Sequence, residues 1–200
     1  MLLIGGGGHC RSVIDVLEQA GVLIAGIVHG PDCAMEPVLG YPARGKDQDA
    51  AMLRQKFSEA LVTVGQVKSS AIRFRLYNLF QDAGFIFRPV VSPLAHISQH
   101  ASFGTGSIAM HQAIVNAGAV VGENCIVNTR ALIEHDCVIG DHCHIAVGAV
   151  LCGGVLVGEG SFIGAGAVIH PKVSIGAGVV VGMGAHVFKS IPDGSFCRCR

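Results

Sequence analysis

The chain has no tryptophan, two tyrosines and only 14% charged residues, and its 14 basic side chains are matched by 14 acidic ones. With no basic stripe and few rings to stack on bases, binding to nucleic acid is not expected. Long hydrophobic runs are missing too. Half the residues are hydrophobic, but glycine interrupts every stretch that approaches membrane-spanning length, so no span is expected. The opening MLLIGGGGHC has neither a positive n-region nor a long apolar run, and is not read as a signal peptide. Eight cysteines are present. Cys197 and Cys199 form Cys-Arg-Cys, but no second pair stands at a zinc-like spacing, so no metal is expected. Reduced thiols and a reducing compartment, the cytoplasm, follow.

What is abundant is glycine, 28 residues, and it recurs on a period. From Ala95 to Ser190 the chain divides into sixteen hexads without insertion: AHISQH, ASFGTG, SIAMHQ, AIVNAG, AVVGEN, CIVNTR, ALIEHD, CVIGDH, CHIAVG, AVLCGG, VLVGEG, SFIGAG, AVIHPK, VSIGAG, VVVGMG, AHVFKS. The third position is Ile, Val, Leu or Phe in all but Ala109, and the first is always Ala, Ser, Cys or Val. One large apolar residue in six cannot line a helix face. It does fit a parallel β-helix, in which each hexad is a short strand and a bend, and three hexads close a triangular coil. The third position points inward, and the small first position, with Cys125, Cys137 and Cys143, fills the inner corner as buried thiols. At ~4.8 Å per stacked strand the prism is roughly 25 Å tall.

Residues 1–92 have a different grammar. Apolar strands are expected over residues 1–4, 22–28, 60–64 and 85–91, and helices over 11–20, 47–57 and 69–82. Alternation of this kind predicts a small Rossmann-like parallel sheet with helices packed on it. Gly5 to Gly8 follow the first strand and open the first helix, where backbone N–H groups and the helix dipole suit a phosphate. A dinucleotide fingerprint would need glycine at position ten, which is Cys10, so NAD chemistry is not indicated. The domains are therefore 1–92, Rossmann-like, and 93–200, β-helical with a short C-terminal tail.

A general base must reach the proton it takes and be held in one orientation. In ALIEHD, His135 occupies the fifth position, near a corner where it faces outward. Asp136 follows and can orient the imidazole. Glu134 is the rival carboxylate, but adjacent strand residues point to opposite faces. Cys152 lies close in sequence as a nucleophile, yet direct attack requires none. His111, His142, His170 and His186 are read as surface or interface residues.

A strand–GGGGH–helix unit followed by sixteen hexads, together with the run IEHDCVIGDHCHIAVGA, resembles the hexapeptide-repeat sugar acetyltransferases of the bacillosamine, perosamine and sialic acid branch. The resemblance spans nearly the whole chain. It implies a left-handed β-helix, a homotrimer with the cosubstrate acetyl-CoA held between neighbouring prisms, and a nucleotide-sugar substrate. It implies that His135 and Asp136 are catalytic, with Asp where the family usually has Glu. Gly6, Gly8 and His9 would hold the nucleotide-sugar, with Asn128 on the substrate side. His144 would contact acetyl-CoA or the acceptor, the Gly153 N–H would serve the thioester carbonyl, and Ala146 would let the CoA chain pass. His29 and Gly30 stand where the bacillosamine branch carries an acidic pair. The reaction implied is acetylation of the amine of a nucleotide-linked amino sugar. Alternatives are O-acetylation of sialic acid, a non-catalytic trimeric scaffold, or a zinc site like that of the γ-type carbonic anhydrases, although no two histidines here show that family's spacing of five.

Overall fold

The computed structural model describes residues 1–67 and 69–198. Cys199 lies outside them. The chain divides into two compact units, residues 1–65 with 71–88, and residues 66–70 with 89–200.

The first unit is built on a four-stranded parallel sheet. Strands β1 (Leu2–Ile4), β2 (Gly26–His29), β3 (Ala43–Lys46) and β4 (Ala60–Val62) lie in the order β3-β2-β1-β4. All of β1, β2 and β4 is buried, as continuous apolar runs in a covered parallel sheet should be. Helix α1 (Gly8–Gln19) turns Cys10, Val13, Ile14, Val16 and Leu17 inward, which is the spacing of one helix face. Helix α2 (Ala50–Arg54) is shorter than expected, because Asp47–Asp49 form a 3₁₀ turn. Helix α3 (Ala71–Asp82) packs Leu76, Tyr77 and Phe80 into a core with Leu2, Ile4, Leu53 and Val62. Strand β3 was not legible: Ala-Arg-Gly-Lys has no β-branched residue. The strand expected at 85–91 is broken. Ile86 makes a lone bridge to Glu59, while Val90–Val91 pair with Ile108–Ala109 in the second unit.

The second unit is the β-helix. Its two-residue strands form three parallel sheets of five, seven and six strands. Register advances by one coil of 18 residues: Val120 pairs with Val138, and Val138 with Leu156. The fold is a small Rossmann-like unit followed by a left-handed parallel β-helix. Third-position side chains such as Val127, Ile145, Ile163 and Val181 fill the prism, and the first-position residues Cys125, Cys137 and Cys143 are buried beside them. The seven cysteines among the described residues are free. Replacing Ile163, which has no exposed surface, by Ala should cost about 2–5 kcal/mol of stability. Urea unfolding reads this as a lower midpoint with an unchanged slope.

The sixth hexad position makes the bend. At every sixth position from 106 to 184 the backbone is left-handed, with φ between +50° and +75°. Eight of these positions are glycine, which takes this conformation without strain, and six are not: Gln112, Asn124, Arg130, Asp136, His142 and Lys172. No helix among the described residues is long and apolar enough to cross a membrane.

Candidate active site

His135 and Asp136 sit at one corner of the prism, held from both sides by neighbouring coils. The Asp136 N–H donates to the Ala117 carbonyl at 3.2 Å, and the Gly154 N–H donates to the His135 carbonyl at 2.9 Å. Both side chains are open to solvent, 64% and 73% exposed. The His135 Nδ1–H donates to Asp136 Oδ2 at 2.8 Å, which leaves Nε2 with a free lone pair. Asp is well suited to the bend that Asp136 occupies, since short polar side chains tolerate φ near its +59°. Glu134 is turned the other way and accepts the His135 backbone N–H at 3.2 Å. The hydrogen bond to Asp136 pushes the imidazole pKa above its ordinary 6.5; desolvation opposes it, and the Asp136 and Glu134 charges add to it.

One coil above His135, 18 residues on, lies Gly153. A Cβ built there would stand 2.5 Å from His135 Nε2 and 2.6 Å from Cε1. The imidazole therefore lies across a bare Cα, and Gly153 is glycine because the ring occupies the space of its side chain. No acceptor is found for the Gly153 N–H among the described residues. The next corner residue, Gly154, is also bare, and above it comes Lys172. Cys152 is half-buried next to this corner, and its carbonyl accepts the Cys137 thiol.

Asn128 and His144 form a second group. The Asn128 Nδ2–H donates to His144 Nε2 at 3.0 Å, and its Oδ1 accepts the Thr129 N–H at 2.8 Å. The His144 Nδ1–H donates to the Gln66 carbonyl at 2.6 Å. At 6% exposure, edge-on to Phe162 at 5.2 Å, His144 has both ring nitrogens bonded inside the fold. Ala146 is buried as well. His142, read from the sequence as a surface or interface residue, is buried within the chain and bonded through Nδ1 to Asn124 at 2.9 Å. Gln66 lies over that part of the prism, its Nε2 donating to the Gly160 carbonyl at 3.1 Å.

The glycine loop belongs to the first unit. Gly5 has φ +106° and closely faces Val64. Gly6 lies against the His29 ring, where a Cβ would be 2.7 Å from Cε1, whereas Gly7 and Gly8 have nothing within 4 Å of a Cβ position. Gly7 caps α1 without a side-chain bond, and the N–H groups of a helix's first turn have no intrahelical partner. The loop borders a cavity of about 510 Å³ that Gly5 to Gly8, His9, Gly65, Asp47 and Arg75 help to line. Arg75 Nη2 donates to Asp47 Oδ2 at 2.8 Å, the carboxylate being buried and the guanidinium half-exposed. Sequence reasoning missed this pair, whose members stand 28 residues apart on a 3₁₀ turn and α3. Among the described residues, no group of three or more His, Cys, Asp or Glu is placed to hold a metal ion.

A β-helix of hexads bearing an exposed His–Asp pair defines a hexapeptide-repeat transferase, and comparison with known proteins agrees. The bacterial transferase hexapeptide family matches residues 118–153 and 154–189, and the PglD N-terminal domain matches residues 1–79. Among solved structures, PerB from Caulobacter crescentus, in complex with CoA and GDP-perosamine, is 37% identical with a TM-score of 0.91 over 98% of this chain and 91% of that one. The acetyltransferase domain of PglB from Neisseria gonorrhoeae, in complex with acetyl coenzyme A, is 33% identical, with a TM-score of 0.89 over 98% and 93%. WeeI from Acinetobacter baumannii is 25% identical, with a TM-score of 0.87 over 98% and 94%. A search of curated protein sequences finds no match. The chain belongs to the hexapeptide-repeat sugar acetyltransferases with a PglD-type N-terminal unit, and it is an acyltransferase.

Proposed function

We propose that the protein transfers the acetyl group of acetyl-CoA to the amine of a nucleotide-linked amino sugar. The observation that carries this reading is the His135–Asp136 pair at an open corner, Nδ1 bonded at 2.8 Å and Nε2 free beside Gly153. It is supported by 37% identity to a protein bound to CoA and GDP-perosamine.

Neutral His135 takes the proton of the acceptor amine through Nε2 as nitrogen bonds to the thioester carbon. Asp136 fixes the tautomer and stabilises the imidazolium that forms. The Gly153 N–H is the donor for the developing oxyanion. When the carbon–sulfur bond breaks, the imidazolium returns its proton to the departing thiolate, so free thiol and the N-acetyl sugar leave. Gly153 and Gly154 clear the corner for the thioester arm. His144 and Ala146, on the acetyl-CoA side, and Asn128, on the substrate side, belong to the sheet that pairs Ile126 with His144 rather than to the His135 corner. A ligand contact by His144 requires Asn128 Nδ2 or the Gln66 carbonyl to yield its place.

The glycine-loop cavity holds the nucleotide, with its diphosphate at Gly6, Gly8 and His9 and with Arg75 as a further cation. Arg75→Ala should raise KM for the nucleotide-sugar about tenfold, the loss of a charged hydrogen bond, and leave kcat in place. An unchanged KM removes Arg75 from the site. Assembly as a homotrimer accounts for the apolar stripe of Val120, Val138 and Leu156, each more than 40% exposed on one prism face. The free thiols suit a cytoplasmic setting.

A base must be neutral to act, and the carboxylate beside His135 favours its protonated form. Activity should therefore rise with pH through a value above 6.5, and Asp136→Asn should move that limb toward lower pH. A limb that stays in place in Asp136→Asn contradicts the pairing. Mass spectrometry of the product tests the reaction itself. One acetyl group on the sugar nitrogen is expected, and an unmodified sugar after incubation with acetyl-CoA refutes it.

A further inference from the structure

We propose that Gly118 is a positioning residue for the His135–Asp136 pair, its missing side chain leaving the seat in which the Asp136 carboxylate lies. The inference deepens the proposed reading of His135 and rests on it for its activity arm only.

The 18-residue coil stacks 118, 136, 154 and 172 at one corner. A Cβ on Gly118 would fall inside van der Waals distance of Asp136 Oδ1, with Cγ and the backbone nitrogen of Asp136 at 3.5 Å. The backbone cannot retreat. The Gly118 N–H donates to the His100 carbonyl at 3.1 Å, and the Asp136 N–H donates to the Ala117 carbonyl at 3.2 Å. The carboxylate can move, because it is exposed and turns about its own side-chain bonds. A methyl group at 118 therefore acts on the 2.8 Å bond to His135 Nδ1 more than on the fold. Gly118 and Gly153 then bracket the pair, one a coil below the carboxylate and the other a coil above the ring. Glycine is shared by many bends here, but at Gly148, Gly166, Gly178 and Gly184 a Cβ meets nothing within 4 Å. At those four the absent side chain makes room for no neighbour, whereas at Gly118 it makes room for Asp136.

The titratable groups around this corner are Asp136 and Glu134 on the coil of His135, Cys152 and Lys172 on the coils above, and His100 below. Only Asp136 bonds the ring among the described residues. Displacing it removes the main cause that raises the imidazole pKa.

The experiment compares Gly118→Ala with Gly166→Ala in the full chain. Gly166 has φ +66° against +75° at Gly118, so the second variant carries the backbone strain without the contact. The titration of the His135 ring is followed by proton NMR, its resonance identified by its loss in His135→Gln. In Gly118→Ala the midpoint should fall toward that of Asp136→Asn, and in Gly166→Ala it should stay at the wild-type value. In Gly118→Ala, kcat/KM should drop about tenfold, part of what a general base contributes, and adding Asp136→Asn should cost little more. A wild-type His135 midpoint in Gly118→Ala, or an equal shift in both glycine variants, overturns the proposal. If Gly118→Ala does not fold, Gly118→Asn repeats the test, since Asn124 holds the same bend at φ +50°. Full turnover in His135→Ala would remove the base assignment and leave the titration comparison standing by itself.

Discussion

Replacing His135 by Ala should lower kcat by roughly two to four orders of magnitude, the contribution of a positioned general base. The fold should not change. The side chain is 64% exposed, and its ring bonds only the Asp136 carboxylate among the described residues. Surface substitutions of this kind usually stay within about 0.5 kcal/mol of stability. KM for either substrate should move little, because the lost interaction is one made as the proton transfers. Steady-state kinetics beside a thermal melt separate the two effects. Near-normal kcat with an intact fold sinks the catalytic assignment, and a collapsed melt would mean that the corner is structural.

Gly153→Ala carries the second large effect, and the reasoning differs. The added methyl would occupy the position 2.5 Å from His135 Nε2, so the ring must swing away. A displacement near 1 Å can cost about a hundredfold in rate. The backbone at 153 is outside the left-handed region, unlike its neighbour Gly154 at φ +71°, so alanine is accommodated without strain. Other coils carry Val147, Ala165 and Pro171 at the same hexad position. The expected result is a melting temperature close to wild type with kcat lower by about tenfold to a hundredfold. Wild-type kcat would show that His135 reaches the acceptor from another rotamer.

Much of the second unit was legible because a repeat states its own packing. One large residue in six, always at the third position, defined the inward face, and small first positions defined the corners, including three buried cysteines. The period also held more than the hexads convey. Three sixes make a coil, so the residues that touch His135 and Asp136 from above and below are those 18 away, Gly153 and Gly118. The Asn128–His144–Gln66 chain was not legible, since it joins a prism face to a carbonyl 78 residues earlier. Nor was the burial of His142, whose Nδ1 bonds the buried Asn124 one coil away. In the first unit, α1 extends three residues earlier than its apolar spacing indicates, because glycine can enter the first turn without a cap. The Asp47–Arg75 pair arises from tertiary packing between a 3₁₀ turn and a later helix, and no local pattern announces it.

The measurement that bears most directly on the account is release of free CoA thiol from acetyl-CoA, run with wild type and His135→Ala side by side. The acceptors are 4-amino sugars linked to GDP, UDP and dTDP, with free sialic acid beside them. Turnover with a nucleotide-linked amino sugar, lost in the variant, is the predicted result. Turnover with sialic acid alone, or equal turnover in the two proteins, would contradict it.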